Sequence, residues 1–114
     1  MNKSDRKLLE AAAKAAGMME LRYCEPWGGM ARYSRELCEF YGKEWNPLHD
    51  DGDALRLAVT LGIGVLFDVQ DEKITAYQQQ PHDGYNVEFA GDDGPRAATR
   101  RAIVRAAAAM VEKP

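Results

Sequence analysis

Three carboxylates crowd one short segment, HDDGDALRLA at residues 49–58, where they could bind a cation or begin a helix. A calcium loop places acids at alternate positions, a glycine at the sixth and a glutamate at the twelfth, and this register is missing here. Asp50 or Asp51 can instead accept a backbone N–H of a first helical turn, and Asp53 meets the positive end of the helix dipole. The spacing therefore predicts a structural helix start and no metal.

Other residue types that support catalysis or cofactor binding lack the spacing that such sites require. Cys24, Cys38, His49 and His82 form no C-x-x-C or H-x-x-x-H pair of a zinc site. The chain has no G-x-S-x-G nucleophile motif, and its Gly-Ile-Gly at 62–64 follows a predicted helix rather than a strand. We therefore expect no cofactor and no enzymatic activity.

Two arginines fall on predicted apolar helix faces. Arg100 lies within the apolar stripe of the last helix, and Arg56 interrupts a helix that is otherwise apolar except for Thr60. A guanidinium on such a face must reach solvent or meet a carboxylate. In one interpretation, Arg56 or Arg100 lines an anion pocket. We favour internal pairing with nearby acids such as Asp51, Asp53 or Asp68.

Aromatic residues are more numerous than one small core needs, with two tryptophans and five tyrosines. Trp, Tyr and Arg are the residues that anchor protein interfaces. Trp27, in a Pro-Trp-Gly-Gly turn, is equally compatible with a surface position and a core position. Trp45 is predicted to fill one end of the core. Arg101 and Arg105 are predicted to face solvent. The residues predicted to contact a partner protein are Trp27, Tyr33, Tyr41, Asp71, Glu72, Tyr77, Asp83, Arg101 and Arg105.

Apolar periodicity predicts the elements that position these side chains. A two-residue alternation predicts strands, and helical spacing predicts a first helix, a second helix and a long last helix that Asp92 or Asp93 caps. The second helix, residues 54–61, is apolar on nearly every side and is expected to be buried between other elements. Residues 30–44 fit either a helix or hairpin strands, and we favour strands. The predicted strands comprise residues 18–24, 64–70, 74–78 and 85–89.

This order of elements predicts one α+β domain over residues 1–114. We expect an antiparallel sheet of three to five strands packed against two or three helices, with the long last helix C-terminal. The composition, 46% hydrophobic and 29% charged, is that of a globular protein, and no apolar run is long enough to cross a bilayer. The first 17 residues carry charges throughout, so we expect no signal peptide and a cytoplasmic location.

Charge is distributed unevenly along the chain. Residues 46–95 carry two basic and ten acidic side chains, whereas residues 96–114 carry five basic and one acidic side chain. The net charge of −3 disfavours a nucleic-acid-binding protein, because such proteins present a broad basic surface. The two segments could attract each other across the fold or form surface patches of opposite sign.

Two segments, WNPLHDDGDALRLAVTLG at 45–62 and AATRRAIVRAAAAM at 97–110, resemble small proteins encoded by tailed phages and prophages of proteobacteria. LLEAAAKAAG at 8–17 adds to this resemblance, which covers somewhat over a third of the chain. It implies a phage accessory protein and brings no catalytic residues, since none is assigned in that group.

These observations favour a factor that binds a host or phage protein in the cytoplasm, such as a counter-defence inhibitor of a host nuclease in a CRISPR–Cas complex. The acidic middle of the chain could imitate nucleic-acid phosphates. The alternative is a small nucleic-acid-binding or regulatory module that uses the arginine-rich last helix. An enzyme or small-anion binder centred on Arg56 and Arg100 is the third and weakest hypothesis.

Overall fold

The computed structural model describes residues 3–68, 70–78, 85–88 and 94–112. Over these ranges the elements, in chain order, are α1 (Lys3–Ala15), β1 (Leu21–Cys24), β2 (Gly29–Ser34), β3 (Glu39–Trp45), α2 (Asp51–Leu61), β4 (Gly64–Asp68), β5 (Lys73–Tyr77), β6 (Tyr85–Glu88) and α3 (Gly94–Glu112).

The predicted α+β class and the long C-terminal helix are confirmed. The strands form two antiparallel sheets rather than one, in the orders β1-β2-β3 and β4-β5-β6. The preference for strands over residues 30–44 is also confirmed, because β2 and β3 pair across the turn at 35–38. The predicted Asp92 or Asp93 cap lies outside the described residues.

The core lies where α1 and α3 meet between the two sheets. α1 contacts β1 and β2, whereas α3 packs most extensively on α1 and also on β5, β6 and α2. Alanines dominate this helix pair, and small side chains allow two helices to approach closely. Trp45 is buried, as predicted for a core plug. The buried residues on the facing sides include Leu9, Ala12, Ala13, Ala98, Ala102 and Val104.

Helix α2 has well-defined ends. Asp50 adopts an extended backbone and its side chain accepts the Asp53 N–H, so it is the N-cap. Gly62 has a φ of 68°, and the Ile63 N–H donates to the Ala58 carbonyl at 2.8 Å. This left-handed C-cap suits glycine, because a Cβ would be strained there.

The solvent-facing position predicted for Arg101 is wrong. Its Nη1 donates to Asp5 Oδ1 at 2.9 Å, and both side chains are partly buried. The prediction failed because the helical periodicity of α3 locates its own apolar stripe but not the acid that α1 places beside it. Arg101 thus ties the first helix to the last, whereas Arg105 is exposed.

We predict that Asp5 and Arg101 are energetically coupled. In a double-mutant cycle of Asp5→Ala and Arg101→Ala, measured by urea unfolding, we expect a coupling free energy on the order of 1 kcal/mol. The control is the exposed pair Arg6–Glu10 at 3.5 Å within α1, for which we expect about 0.3–0.5 kcal/mol. A coupling for Asp5–Arg101 no larger than that of the control would contradict a role in joining the helices.

Candidate functional site

Asp53 is the centre of a buried hydrogen-bond network at the junction between β3 and α2. The Asp53 side chain is only 7% exposed. Its Oδ2 accepts the backbone N–H of Asn46 at 2.9 Å, and its Oδ1 accepts Arg56 Nη2 at 2.7 Å. The Asp53 N–H in turn donates to Asp50 Oδ2 at 2.7 Å. The carboxylates are therefore engaged with the backbone and with arginine.

Arg100 connects this segment to α3. Its Nε donates to the Leu48 carbonyl at 2.9 Å, and its Nη1 donates to Asp51 Oδ1 at 2.6 Å. Arg96 lies at the edge of ion-pair distance from the same acid, with Nε 4.0 Å from Asp51 Oδ2. The structure thus places Arg56 and Arg100 beside two of the acids that sequence reasoning offered as partners, Asp53 and Asp51. Within the part of the chain that the structure describes, no three metal-ligating side chains converge.

An open apolar groove lies beside this centre, between α2, β4 and the first turns of α3. We call it the α2–β4 groove; it has a volume of about 570 Å³. Leu55, Val59 and Phe67 line it and are 65%, 74% and 58% exposed, respectively. Asp51, Arg96 and Arg100 also line it, so the ion pairs just described stand at its border. Other apolar lining residues are Ala54, Ala58, Ile63, Val65 and Ile103.

The prediction that α2 is buried on all sides is wrong. Ala54, Leu57 and Ala58 are buried, but Leu55 and Val59 are exposed on another face. The composition of α2 does not indicate that one face is exposed, because both faces are apolar. The spacing of four residues between Leu55 and Val59 was the available signal of a second apolar stripe.

The edge position of β4 explains why the groove is open. Val65 and Phe67 are directly opposite Ala76 and Ile74 of β5, so all four side chains share one face of the sheet. Ile74 and Ala76 are fully buried on the α3 side. Phe67 remains largely exposed because α3 covers β5 and β6 of this sheet and leaves the edge strand incompletely covered.

The predicted partner-binding residues do not form one surface. Trp27 and Tyr33 both contact Phe40, with ring centroids 6.3 and 5.1 Å apart, respectively. Tyr41 is exposed on β3. Tyr33 and Tyr41 belong to the first sheet and Trp27 to its β1–β2 turn, and none of the three lines the α2–β4 groove. The exposed apolar residues of that groove were not among the predicted partner contacts.

The remaining predicted contacts lie elsewhere. Asp71 and Glu72 are exposed in the β4–β5 turn. Tyr77 is half-buried, and its ring lies so close to Gly64 that a Cβ there would be 2.7 Å from Cζ. Asp83 lies outside the described residues, and Arg105 is exposed on α3.

Comparison of the chain with protein-family models, with curated proteins and with solved structures yields no match. Within the described ranges, none of the helices combines the length and the apolar character that a membrane span requires.

We predict that the Asp53 carboxylate stabilises the fold. Asp53→Ala should lower the free energy of unfolding by about 2–3 kcal/mol, because the buried Asn46 N–H loses its acceptor. Asp50→Ala, which removes the exposed N-cap, should lower the free energy of unfolding by about 1 kcal/mol. Urea unfolding followed by circular dichroism measures both. Equal losses for the two variants, or a Ca²⁺-dependent rise in the melting temperature of the unaltered protein, would contradict the structural role.

Proposed function

We propose that the protein is a phage accessory factor that binds a partner protein, and that the α2–β4 groove receives an amphipathic helix of that partner. This proposal rests on the exposure of Leu55, Val59 and Phe67 in one groove. Contiguous exposed apolar surface is costly in water and marks interaction sites in folded proteins.

The shape of the groove favours a helix as the occupant. Its α2 wall extends from Asp51 to Gly62, a rise of about 16 Å, which corresponds to about three helical turns. Leu55 and Val59 lie one turn apart along this wall, at the spacing with which a second helix interdigitates its own i, i+3 and i+4 side chains. Phe67 adds an aromatic contact from the strand side.

Charge at the groove border favours an acidic residue on the partner helix. Arg96 is largely exposed, with its side chain 86% accessible, and shares Asp51 with Arg100. Two guanidinium groups around one carboxylate leave a local charge of +1. A carboxylate next to the apolar stripe of the partner would therefore find a cation with which to pair.

We further propose that the protein inhibits a host nuclease such as a CRISPR–Cas complex. The resemblance to phage proteins supports this proposal, and so does the excess of acidic residues over positions 46–95. Asp71 and Glu72, exposed in the β4–β5 turn, extend from the strand that borders the groove. A protein anchored through the groove would present these carboxylates to the partner's nucleic-acid-binding surface, where they would compete with phosphates.

We predict that Val59→Asp abolishes partner binding and leaves the fold intact. A carboxylate at this exposed position is solvated in the free protein but would be buried without a counter-ion in the complex. Affinity for the partner should fall at least about tenfold, that is by about 1.4 kcal/mol or more. The partner is isolated by comparing pull-downs from bacterial lysate with the unaltered and Val59→Asp proteins, and the affinity is then measured by calorimetry.

The matched control is Leu37→Asp, because Leu37 is also an exposed aliphatic residue, 68% accessible, in the β2–β3 turn. Partner recovery should survive this change. Recovery that is the same with Val59→Asp as with the unaltered protein would contradict the proposal. So would a homodimer that Val59→Asp converts to a monomer, because a second copy would then occupy the groove. The nuclease proposal fails if the protein leaves the cleavage rate of purified CRISPR–Cas complexes unchanged.

A further inference from the structure

A second cavity lies between α1 and the first sheet, and it shares no lining residue with the α2–β4 groove. We call it the α1–β1 cleft; its volume is about 430 Å³, within the range of small-molecule sites. Arg6 and Lys14 line it from α1, and Arg22 lines it from β1. Buried Met30 and the rings of Tyr23, Tyr33 and Phe40 complete the apolar part of its wall.

The cleft is basic in a chain with a net charge of −3. Its three cations face one acid, Glu10, which pairs with Arg6 at 3.5 Å. Among the side chains that the structure describes, no carboxylate lies within ion-pair distance of Lys14 or Arg22. The lining therefore carries a local charge of +2, which attracts an anion into the cleft.

The aromatic rings hold two of these cations in place. The Arg6 guanidinium carbon lies 5.0 Å from the Tyr23 ring centroid, and that of Arg22 lies 5.4 Å from the Tyr33 centroid. A guanidinium held over a ring can still donate its N–H groups to the oxygens of a phosphate or carboxylate. Tyr33 in turn packs edge-on against Phe40.

We infer that the α1–β1 cleft binds a mononucleotide. Arg22 and Lys14 hold the phosphate, and the base packs against the aromatic side chains of Tyr33 and Phe40. Cationic groups next to stacking rings recognise phosphate and base together, and base–aromatic stacking is largely independent of base identity. A nucleotide can be free or can be the end of a single strand; the acidic character of the rest of the chain favours the free form, because a longer strand would meet repulsion beyond the cleft.

The test is titration of the full chain with AMP, followed through tryptophan fluorescence, to which Trp27 contributes from a position 6.3 Å from Phe40 between ring centroids. Calorimetry supplies the affinity. AMP should bind at least about tenfold more tightly than adenosine or inorganic phosphate alone, and the affinity should fall as NaCl is raised. Arg22→Ala and Tyr33→Ala should each weaken AMP binding at least about tenfold, and Arg22→Lys should restore part of the loss.

Arg105→Ala is the matched control, because Arg105 is an exposed arginine of α3 outside the cleft. It should leave AMP binding unchanged. Equal melting temperatures of the Arg22→Ala and unaltered proteins would exclude unfolding as the cause of lost binding. Absence of AMP binding at millimolar concentration, or binding that survives both cleft substitutions, would overturn the assignment. So would affinity for oligo(dA) that exceeds that for AMP and grows with strand length.

Discussion

The Asp53 carboxylate is the constraint on which the placement of α2 depends. It accepts the Asn46 N–H from the segment that follows β3, and it accepts Arg56 from the next turn of its own helix. A buried carboxylate is tolerated only when such donors surround it. These bonds fix the start of α2 and its rotation about the helix axis, and this rotation turns Leu57 into the core and Val59 outwards.

Two arginines of α3 connect the last helix to α2 and to α1. Arg100 binds the Leu48 carbonyl and Asp51, so it sets the distance between α2 and α3. Arg101, the next residue, reaches Asp5 and holds α1. The basic C-terminal segment is thus partly neutralised within the fold, and only some of its charge remains for a nucleic acid. This partial neutralisation weakens the alternative of a nucleic-acid module built on α3.

Two surfaces of opposite character follow from this architecture. The α2–β4 groove is apolar, since α3 covers β5 and β6 of the second sheet and leaves edge strand β4 exposed beside α2. The α1–β1 cleft is basic and aromatic, since Arg6 and Arg22 lie over tyrosine rings. The two surfaces share no lining residue. Each can therefore be altered without disturbing the other.

The sequence by itself determined the α+β class, the strand segments near 18–24, 64–70, 74–78 and 85–89, and a cap at Asp50 or Asp51, because these depend on local periodicity and on side-chain bonds to nearby backbone. The structure decided that residues 30–44 form strands and that Asp50 is the cap. It also identified Arg56 and Arg100 as cations that need internal acids. Only the tertiary structure decided that Leu55 and Val59 face solvent and that Arg101 meets Asp5, a residue 96 positions away. Burial and long-range ion pairs depend on which elements pack together, and a residue's own neighbours in sequence do not carry that information.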